Sequence, residues 1–275
     1  MLPECKELLL SLDGGVLSIT LNRPHKRNAM NKRLVDEMRA VFAAIADHRS
    51  VRAVVLRGAE GNFCAGGDIA GMHDGAVDEA GKSLSPDKAA WQFNRSFGHL
   101  ITEVNKAPQV VITILEGAVL GGGFGLACVS DIAIAKADAK FAMPETGLGI
   151  VPAQIAPFVV MRVGLTQARR LALTGQRIDG AEAQRLGLVH FCADSNDDVD
   201  AQLNNQLSAL RRCAPAATAL TKSLLLDVGT TALEPLLDHA SDLFAQCLNG
   251  PEGKEGTQAF IEKRKPSWYS ERGTA

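Results

Sequence analysis

The feature that most constrains the fold is an apolar segment followed by a run of glycines. Residues 110–115 are almost all apolar and predict a buried strand. Residues 121–125 read Gly-Gly-Gly-Phe-Gly and precede a small-residue segment that predicts a helix. Glycine lets the backbone approach a ligand closely, and the first turn of a helix has N–H groups with no intrahelical partner. This junction therefore predicts a site for an anion or for a reacting oxygen.

The composition argues against several classes of protein. The 275 residues are 46% hydrophobic and 22% charged, which is typical of a globular protein of one or two domains. A formal net charge of −2 without a dominant basic stripe argues against nucleic-acid binding, and no segment is long and apolar enough to predict membrane insertion. The six cysteines lack CxxC spacing and the histidines are scattered, so we expect reduced thiols, no local zinc motif and a cytoplasmic location.

The order of predicted elements indicates an α/β protein. The pattern predicts a hairpin over 6–22 and an amphipathic helix over 31–47 that begins at the N-cap Asn31. Strands alternate with helices further along, which predicts crossover connections and a mostly parallel sheet. The remaining predicted elements of this half are strands at 51–56, 110–115 and 132–135 and a helix at 88–106.

Two other segments differ in character from this alternating pattern. Residues 71–87 are rich in Gly, Asp and Ser and predict a mobile loop. After residue 150 the periodicity predicts helices alone, over 154–163, 166–174, 180–187, 198–213, 215–226, 231–248 and 251–263.

Three interpretations of the glycine run can be compared. A dinucleotide fingerprint does not fit its register, and no Gly-Lys-Ser/Thr follows for a P-loop. Close packing of a helix on a strand needs fewer glycines than four in five residues. An oxyanion hole needs a second backbone donor from another loop, and Ala65-Gly66-Gly67-Asp68 is such a loop, although Asp68 can equally be a helix cap. With the loop acid Glu145, these two junctions predict a catalytic site.

Taken together, these motifs resemble those of the enoyl-CoA hydratase/isomerase (crotonase) superfamily. The resemblance implies an α/β fold with a spiral core of ββα turns over 1–200 that binds acyl-CoA, followed by a helical trimerisation region over 201–275. It also implies a homotrimer or a hexamer built as a dimer of trimers. The segments that carry the resemblance are 21–30, 63–69, 117–123, 130–135, 141–145, 173–178 and 183–189.

The resemblance also implies roles for individual residues. The N–H groups of Gly67 and Gly122 would hold the thioester oxygen, and Glu145 would transfer protons. Arg23, Lys26 or Arg27 would contact the phosphates of coenzyme A, and Phe260 and Lys263 would complete its site from the same chain or a neighbouring subunit. Coenzyme A enters as part of the substrate, so no metal or separate cofactor is implied. Further substrate contacts are implied for Ala29, Ala65, Gly66, Asp68, Ile69 and Gly121.

One position departs from the pattern of typical hydratases, which use two glutamates. The second maps to Glu145, whereas the first maps to Gly125, which has no side chain to hold water. A single glutamate suits a double-bond isomerase, or a hydratase in which other groups help to position the water.

The amino-acid sequence around the glycine run and Glu145 resembles that of a bacterial branch of the superfamily. Members of this branch hydrate glutaconyl-type CoA esters in acyclic monoterpene or leucine degradation. We hypothesise that the distal carboxylate of such a substrate makes polar contacts that the missing glutamate would have made. A scaffold that binds acyl-CoA without turnover is the alternative from another class, and the intact glycine loops and Glu145 argue against it.

Overall fold

The computed structural model describes residues 2–69 and 84–269. Its strands are β1 Leu8–Asp13, β2 Val16–Leu21, β3 Ala53–Gly58, β4 Val110–Leu115, β5 Ala118–Leu120, β6 Ile132–Lys136, β7 Lys140–Ala142 and β8 Phe191–Ala193. Within the described residues, six of them form one sheet in the order β1-β2-β3-β4-β6-β8. The hairpin of β1 and β2 is antiparallel, and all other neighbours are parallel. A second, parallel sheet pairs β5 with β7.

The helices cover the sheet and form the C-terminal part of the chain. The predicted cap is confirmed, because the Asn31 side chain accepts a hydrogen bond from Leu34 N at 2.9 Å. Two separate helices were predicted over 154–163 and 166–174. The structure has a single element, α4 (Ala156–Thr174), which is interrupted between the two predicted segments by Gly164 with φ +75°. The helices are α1 Lys32–Ile45, α2 Pro86–Lys106, α3 Gly122–Val129, α4 Ala156–Thr174, α5 Gly180–Arg185, α6 Asn196–Leu210, α7 Pro215–Asp227, α8 Leu233–Asn249 and α9 Pro251–Ile261.

The glycine run does not continue directly from the strand predicted at 110–115. The chain leaves the main sheet at Gly117, which has φ +54° and lies so close to Gly61 that a Cβ would be 2.3 Å from the Gly61 oxygen. The short strand β5 then carries the chain to the glycines in the second sheet. This change of sheet brings the glycine run beside the loop that follows β3.

The predicted boundary between core and C-terminal region at residue 200 stays a prediction. It falls inside α6, whose Val199, Leu203 and Leu207 pack in one apolar cluster with Ile112 and Ile134 of the main sheet. α6 therefore buries this apolar face against the main sheet on both sides of residue 200.

The last helices expose large apolar side chains. Leu233, Phe244 and Ile261 are each about two-thirds or more exposed, and Phe260 is 85% exposed. An apolar surface of this kind is typical of a protein interface, so oligomerisation stays a prediction for this region. In the described part of the chain, no helix combines the length and the apolar character that crossing a bilayer requires. The mobile loop predicted over 71–87 lies mostly outside the described residues, which resume at 84.

Candidate active site

The two glycine loops lie side by side. Cys64 forms a parallel bridge with Val119, in which Cys64 N donates to Ala118 O at 2.8 Å and Leu120 N donates to Cys64 O at 2.9 Å. A Cβ on Gly66 would lie only 3.2 Å from Leu120 O. Backbone hydrogen bonds therefore hold the loop after β3 against the segment before α3, and Asn62 Oδ1 adds a side-chain bond by accepting from Ala118 N at 3.1 Å.

Each loop presents a backbone N–H group to the same cavity. Gly66 (φ +98°) and Gly121 (φ +50°) adopt conformations that favour glycine, and each is followed by a second glycine. Gly67 and Gly122 line the cavity, and within residues 2–69 and 84–269 neither N–H donates to a protein acceptor. Gly122 opens α3, so its N–H belongs to the first turn of a helix. Two unpaired donors from separate loops are what an oxyanion hole requires.

The carboxylate of Glu145 lies next to the second loop. Glu145 begins a short 3-10 turn that ends at Leu148, and a Cβ on Gly121 would be only 2.9 Å from its Oε1. Its Oε2 is buried and has no hydrogen-bond partner among the described residues. Burial raises the pKa of Glu145, and its own backbone N–H opposes that shift. The site thus holds a carboxylate that can accept a proton at an atom not engaged by the protein.

This raised pKa predicts the pH dependence of activity. A general base works as the carboxylate, so activity is lost as pH falls through the raised pKa of Glu145. We expect the acidic limb of kcat/KM to lie above the ordinary glutamate value of 4.5. A pH series with one enoyl-CoA substrate measures it. The acidic limb of the kcat/KM profile should be absent from Glu145→Gln. An unchanged limb in that variant would mean that another group causes it.

The rest of the cavity is mostly apolar. Its volume is about 140 Å³, and the glycine loops with Glu145 form its polar side. Ile69, Leu148 and Val151 are each about half exposed or more, which places apolar side chains where they can meet an incoming acyl group. Cavities of this kind, apolar with few polar groups, commonly bind small organic ligands. The other large apolar side chains of the lining are Met30, Val35, Phe93, Phe97, Ile150 and Ile155.

The place of the missing glutamate is filled by Ile155. Gly125 lies in the second turn of α3, and a Cβ there would be 2.3 Å from Ile155 Cγ2 and 3.0 Å from Ile101 Cδ1. Gly125 is therefore a close-packing position. Ile155 also lines the cavity, so an apolar side chain stands where the family pattern predicts a second acid. Sequence reasoning missed Ile155, because it lies 30 residues from Gly125 and nothing local relates the two.

The structure places the Arg23 side chain in an ion-pair network, and its predicted contact with phosphate stays a prediction. Its side chain is 10% exposed, its Nη2 lies 2.9 Å from Asp68 Oδ2, and its Nε lies 3.4 Å from Glu7 Oε1. It also donates to the carbonyl oxygen of Ala29. The guanidinium is thus directed inward at two acids. It ties the segment before α1 to the first glycine loop, where Met30 N donates to Gly66 O at 2.8 Å.

This network predicts a stability effect for Arg23. Replacing Arg23 with methionine removes the charge that faces two largely buried acids, at a cost of about 3 kcal/mol. We expect a lower midpoint in urea unfolding, together with weaker activity, because the Gly67 loop loses this tie. Lys26→Met is the matched control, since its exposed side chain should leave the midpoint unchanged. Equal midpoints for the two variants would contradict the structural role.

The other predicted contacts fall into two groups. Ala65, Gly66, Ile69 and Gly121 line the cavity, and their substrate contacts stay predictions. Lys26 and Arg27 are exposed on the turn before Asn28, so they stay candidates for a phosphate contact, whereas Ala29 is buried and Asp68 pairs with Arg23. Phe260 and Lys263 do not line the cavity of their own chain. Their predicted role would therefore need a neighbouring subunit.

Two cavity residues were not predicted from the sequence. Asn94 on α2 and Gln154 just before α4 line the cavity, and Gln154 Nε2 donates to Asn94 Oδ1 at 2.9 Å. Neither belongs to a recognisable motif. Asn94 lies on a helix whose periodicity indicates a buried face, and a polar residue beside that face is the one available sequence signal.

The comparisons with known proteins agree with this geometry. The family model for enoyl-CoA hydratase/isomerase matches residues 11–271, so the chain belongs to that family. As a member, it is an enzyme acting on enoyl-CoA thioesters, and the hydratases among its relatives are hydro-lyases.

Individual relatives cover nearly the whole chain. Pseudomonas aeruginosa AtuE is 58% identical with a TM-score of 0.91, covering 96% of this chain and 100% of its own. An enoyl-CoA hydratase/isomerase from Marinobacter aquaeolei is 54% identical, also with a TM-score of 0.91, covering 97% of this chain and 100% of its own. The short-chain-enoyl-CoA hydratase of Clostridium acetobutylicum is 32% identical over 277 residues, covering 98% of this chain and 100% of its own. These matches agree with a crotonase-like α/β core followed by helices.

Proposed function

We propose that this chain hydrates a glutaconyl-type enoyl-CoA thioester, and that its substrate is isohexenylglutaconyl-CoA in the degradation of acyclic monoterpenes such as citronellol and geraniol. The observation that carries the proposal is the cavity itself. It combines the unpaired N–H groups of Gly67 and Gly122 with the buried carboxylate of Glu145, while Ile155 fills the place of a second acid. The segments around these residues resemble the branch of the family that acts on glutaconyl-type esters.

The proposed mechanism begins at the thioester carbonyl. Its oxygen accepts hydrogen bonds from Gly67 N and Gly122 N, which stabilise the negative charge that develops there as water adds to Cβ. Such donors favour the enolate over the neutral carbonyl, and each is worth roughly 10²–10³ in rate by comparison with other oxyanion holes.

Glu145 then handles the proton. Its carboxylate takes one proton from the attacking water as the C–O bond forms at Cβ, and it delivers that proton to Cα as the enolate collapses. The product is the 3-hydroxyacyl thioester, with one water added and no net change at Glu145. One carboxylate is sufficient for this cycle, because proton removal and proton delivery occur in sequence. No metal or separate cofactor takes part.

Two alternatives share the same site. A 3-methylglutaconyl-CoA hydratase of leucine degradation would use the same chemistry on a smaller acyl group. An enoyl-CoA isomerase is favoured by the single carboxylate, since one base can move one proton between two carbons. A scaffold that binds acyl-CoA without turnover is disfavoured, because a buried carboxylate oxygen without a partner is costly to keep unless it is used.

A substrate panel tests the proposal. Isohexenylglutaconyl-, 3-methylglutaconyl- and crotonyl-CoA are compared by the loss of the conjugated thioester absorbance. We expect the highest kcat/KM with isohexenylglutaconyl-CoA. A preference for 3-methylglutaconyl-CoA would select the leucine pathway, and a preference for crotonyl-CoA would overturn the glutaconyl class. A gain of absorbance from a 3-enoyl thioester would indicate an isomerase, and calorimetric binding without any absorbance change would indicate a scaffold.

The assembly and the coenzyme A contacts belong to the same proposal. We propose a trimer, or a hexamer of two trimers, supported by the exposed apolar side chains of α8 and α9. In such an assembly Phe260 and Lys263 of one subunit would complete the coenzyme A site of another, together with Lys26 and Arg27. Light scattering on the purified protein measures the mass of the assembly.

A further inference from the structure

Three polar side chains form a connected chain at the wall of the cavity. Arg95 on α2 donates through Nη1 to Gln154 Oε1 at 3.3 Å, and Gln154 Nε2 donates to Asn94 Oδ1 at 2.9 Å. Asn94 and Gln154 line the cavity, and Arg95 lies behind them, half-buried. The mechanism above uses none of the three.

The chemistry of arginine sets the direction of this chain of hydrogen bonds. A guanidinium only donates, so the Gln154 amide must turn its oxygen towards Arg95 and its nitrogen towards Asn94. Asn94 must then offer its own oxygen to Gln154. This leaves Asn94 Nδ2, which donates to no protein acceptor in the described ranges 2–69 and 84–269. The chain therefore ends in an unused amide donor on a residue that lines the cavity.

Gly98 shows that the packing is specific for this arrangement. It lies in the interior of α2, where glycine costs about 1 kcal/mol relative to alanine. A Cβ at this position would lie 1.9 Å from Gln154 Oε1 and 2.6 Å from Arg95 Nη1. α2 therefore lacks a side chain at Gly98, where the hydrogen bond between Arg95 and Gln154 lies against the helix.

Arg95 is also a cation without an acidic partner. Among the residues described, Arg95 makes no salt bridge. Glu103, an acid further along α2, pairs instead with Arg39 of α1. A half-buried guanidinium beside a cavity places positive potential on that wall. This potential favours a negatively charged ligand group over a neutral one.

We propose that Asn94 and Arg95, linked by Gln154, recognise the distal carboxylate of the substrate. This inference rests on the proposed function, because crotonyl-type thioesters have no such group. Positioning of the attacking water is the competing role, and the chemistry disfavours it. A water that loses a proton needs an acceptor, which Glu145 supplies, whereas Asn94 and Arg95 offer donors and positive charge, which suit a carboxylate.

The test compares two substrates in each variant. In Asn94→Leu and Arg95→Met we expect kcat/KM for 3-methylglutaconyl-CoA and isohexenylglutaconyl-CoA to fall about 10–100-fold, mainly through KM, because hydrogen bonds to charged groups are among the strongest in proteins. The value for crotonyl-CoA should stay within about twofold. Gly98→Ala should change the same ratio by displacing Gln154, and Arg49→Met, an exposed arginine, is the matched control.

The outcomes separate this inference from the proposed function. If the unaltered enzyme prefers glutaconyl-type substrates and the variants keep that preference, the role of Asn94 and Arg95 is overturned while the function stands. If all substrates lose activity equally, the cluster supports the fold rather than recognition, which also overturns it. If the unaltered enzyme prefers crotonyl-CoA, the proposed function itself fails. Both kinds of substrate are measured with the same preparation of each variant. A partly unfolded sample therefore lowers kcat/KM for both kinds and leaves the ratio between them unchanged.

Discussion

Replacement of Glu145 by glutamine is expected to lower kcat for hydration by about 10²–10⁴-fold, the usual contribution of a positioned acid-base group. The amide keeps the shape of the side chain beside Gly121 but cannot take a proton from water. KM should change little, because the backbone donors Gly67 and Gly122 hold the thioester. Steady-state kinetics with the preferred substrate measures both values.

The stability of this variant provides the control. A carboxyl whose pKa is raised on folding destabilises the native state when it is ionised, so the glutamine variant should be at least as stable as the parent at pH 7. That advantage should disappear as the pH falls below the ordinary value of 4.5, where Glu145 is protonated in both states. Glu234→Gln, at an exposed position on α8, should leave both rate and stability unchanged. Near-full hydration by Glu145→Gln would mean that another group transfers the proton.

Introduction of the second glutamate, Gly125→Glu, is expected to abolish activity and prevent stable folding. Even a methyl group at this position would overlap Ile155 Cγ2 at 2.3 Å, and overpacking of this kind costs about 1–3 kcal/mol. A glutamate adds a buried, unpaired carboxylate, at several kcal/mol more. The sum is a large fraction of the roughly 5–15 kcal/mol that stabilises a typical protein. Soluble yield and urea unfolding report the effect.

A smaller substitution keeps this prediction testable if the glutamate variant does not fold. Gly125→Ala should lower the free energy of unfolding by about 1–3 kcal/mol. Combining it with Ile155→Ala should cost less than the sum of the two single variants, because the shorter side chain makes room for the added methyl group. Gly147→Ala, where an added Cβ meets nothing within 4 Å, is the matched control for stability. A stable and active Gly125→Glu enzyme would show that Ile155 moves aside and that the site still accepts two acids.

Much of the fold was predictable because its determinants are local. The hairpin over β1 and β2, the Asn31 cap of α1 and the break in α4 each depend on residues within a few positions of one another. The apolar strands of the parallel sheet were predictable for a related reason. A strand buried on both faces has to be apolar along its whole length, as β4 is.

The sequence did not show where a segment contacts a distant part of the chain. Arg23 reads as an exposed basic residue in the sequence, yet two acids, one 16 residues before it and one 45 residues after it, draw its guanidinium inward. The packing of α6 was hidden for the same reason. Its helical pattern does not show that its apolar face covers one face of the main sheet.

The sequence by itself indicated which backbone groups and which acid form the candidate site. Two glycine loops and Glu145 are recognisable from composition and spacing, because close approach and proton transfer each require particular residue types. Only the tertiary structure decided what replaces the missing glutamate and what else faces the substrate. Ile155 fills the space at Gly125, and Asn94 reaches the cavity with Arg95 behind it. These contacts join segments about 30 to 60 residues apart, so their geometry depends on how the helices pack and not on any local pattern.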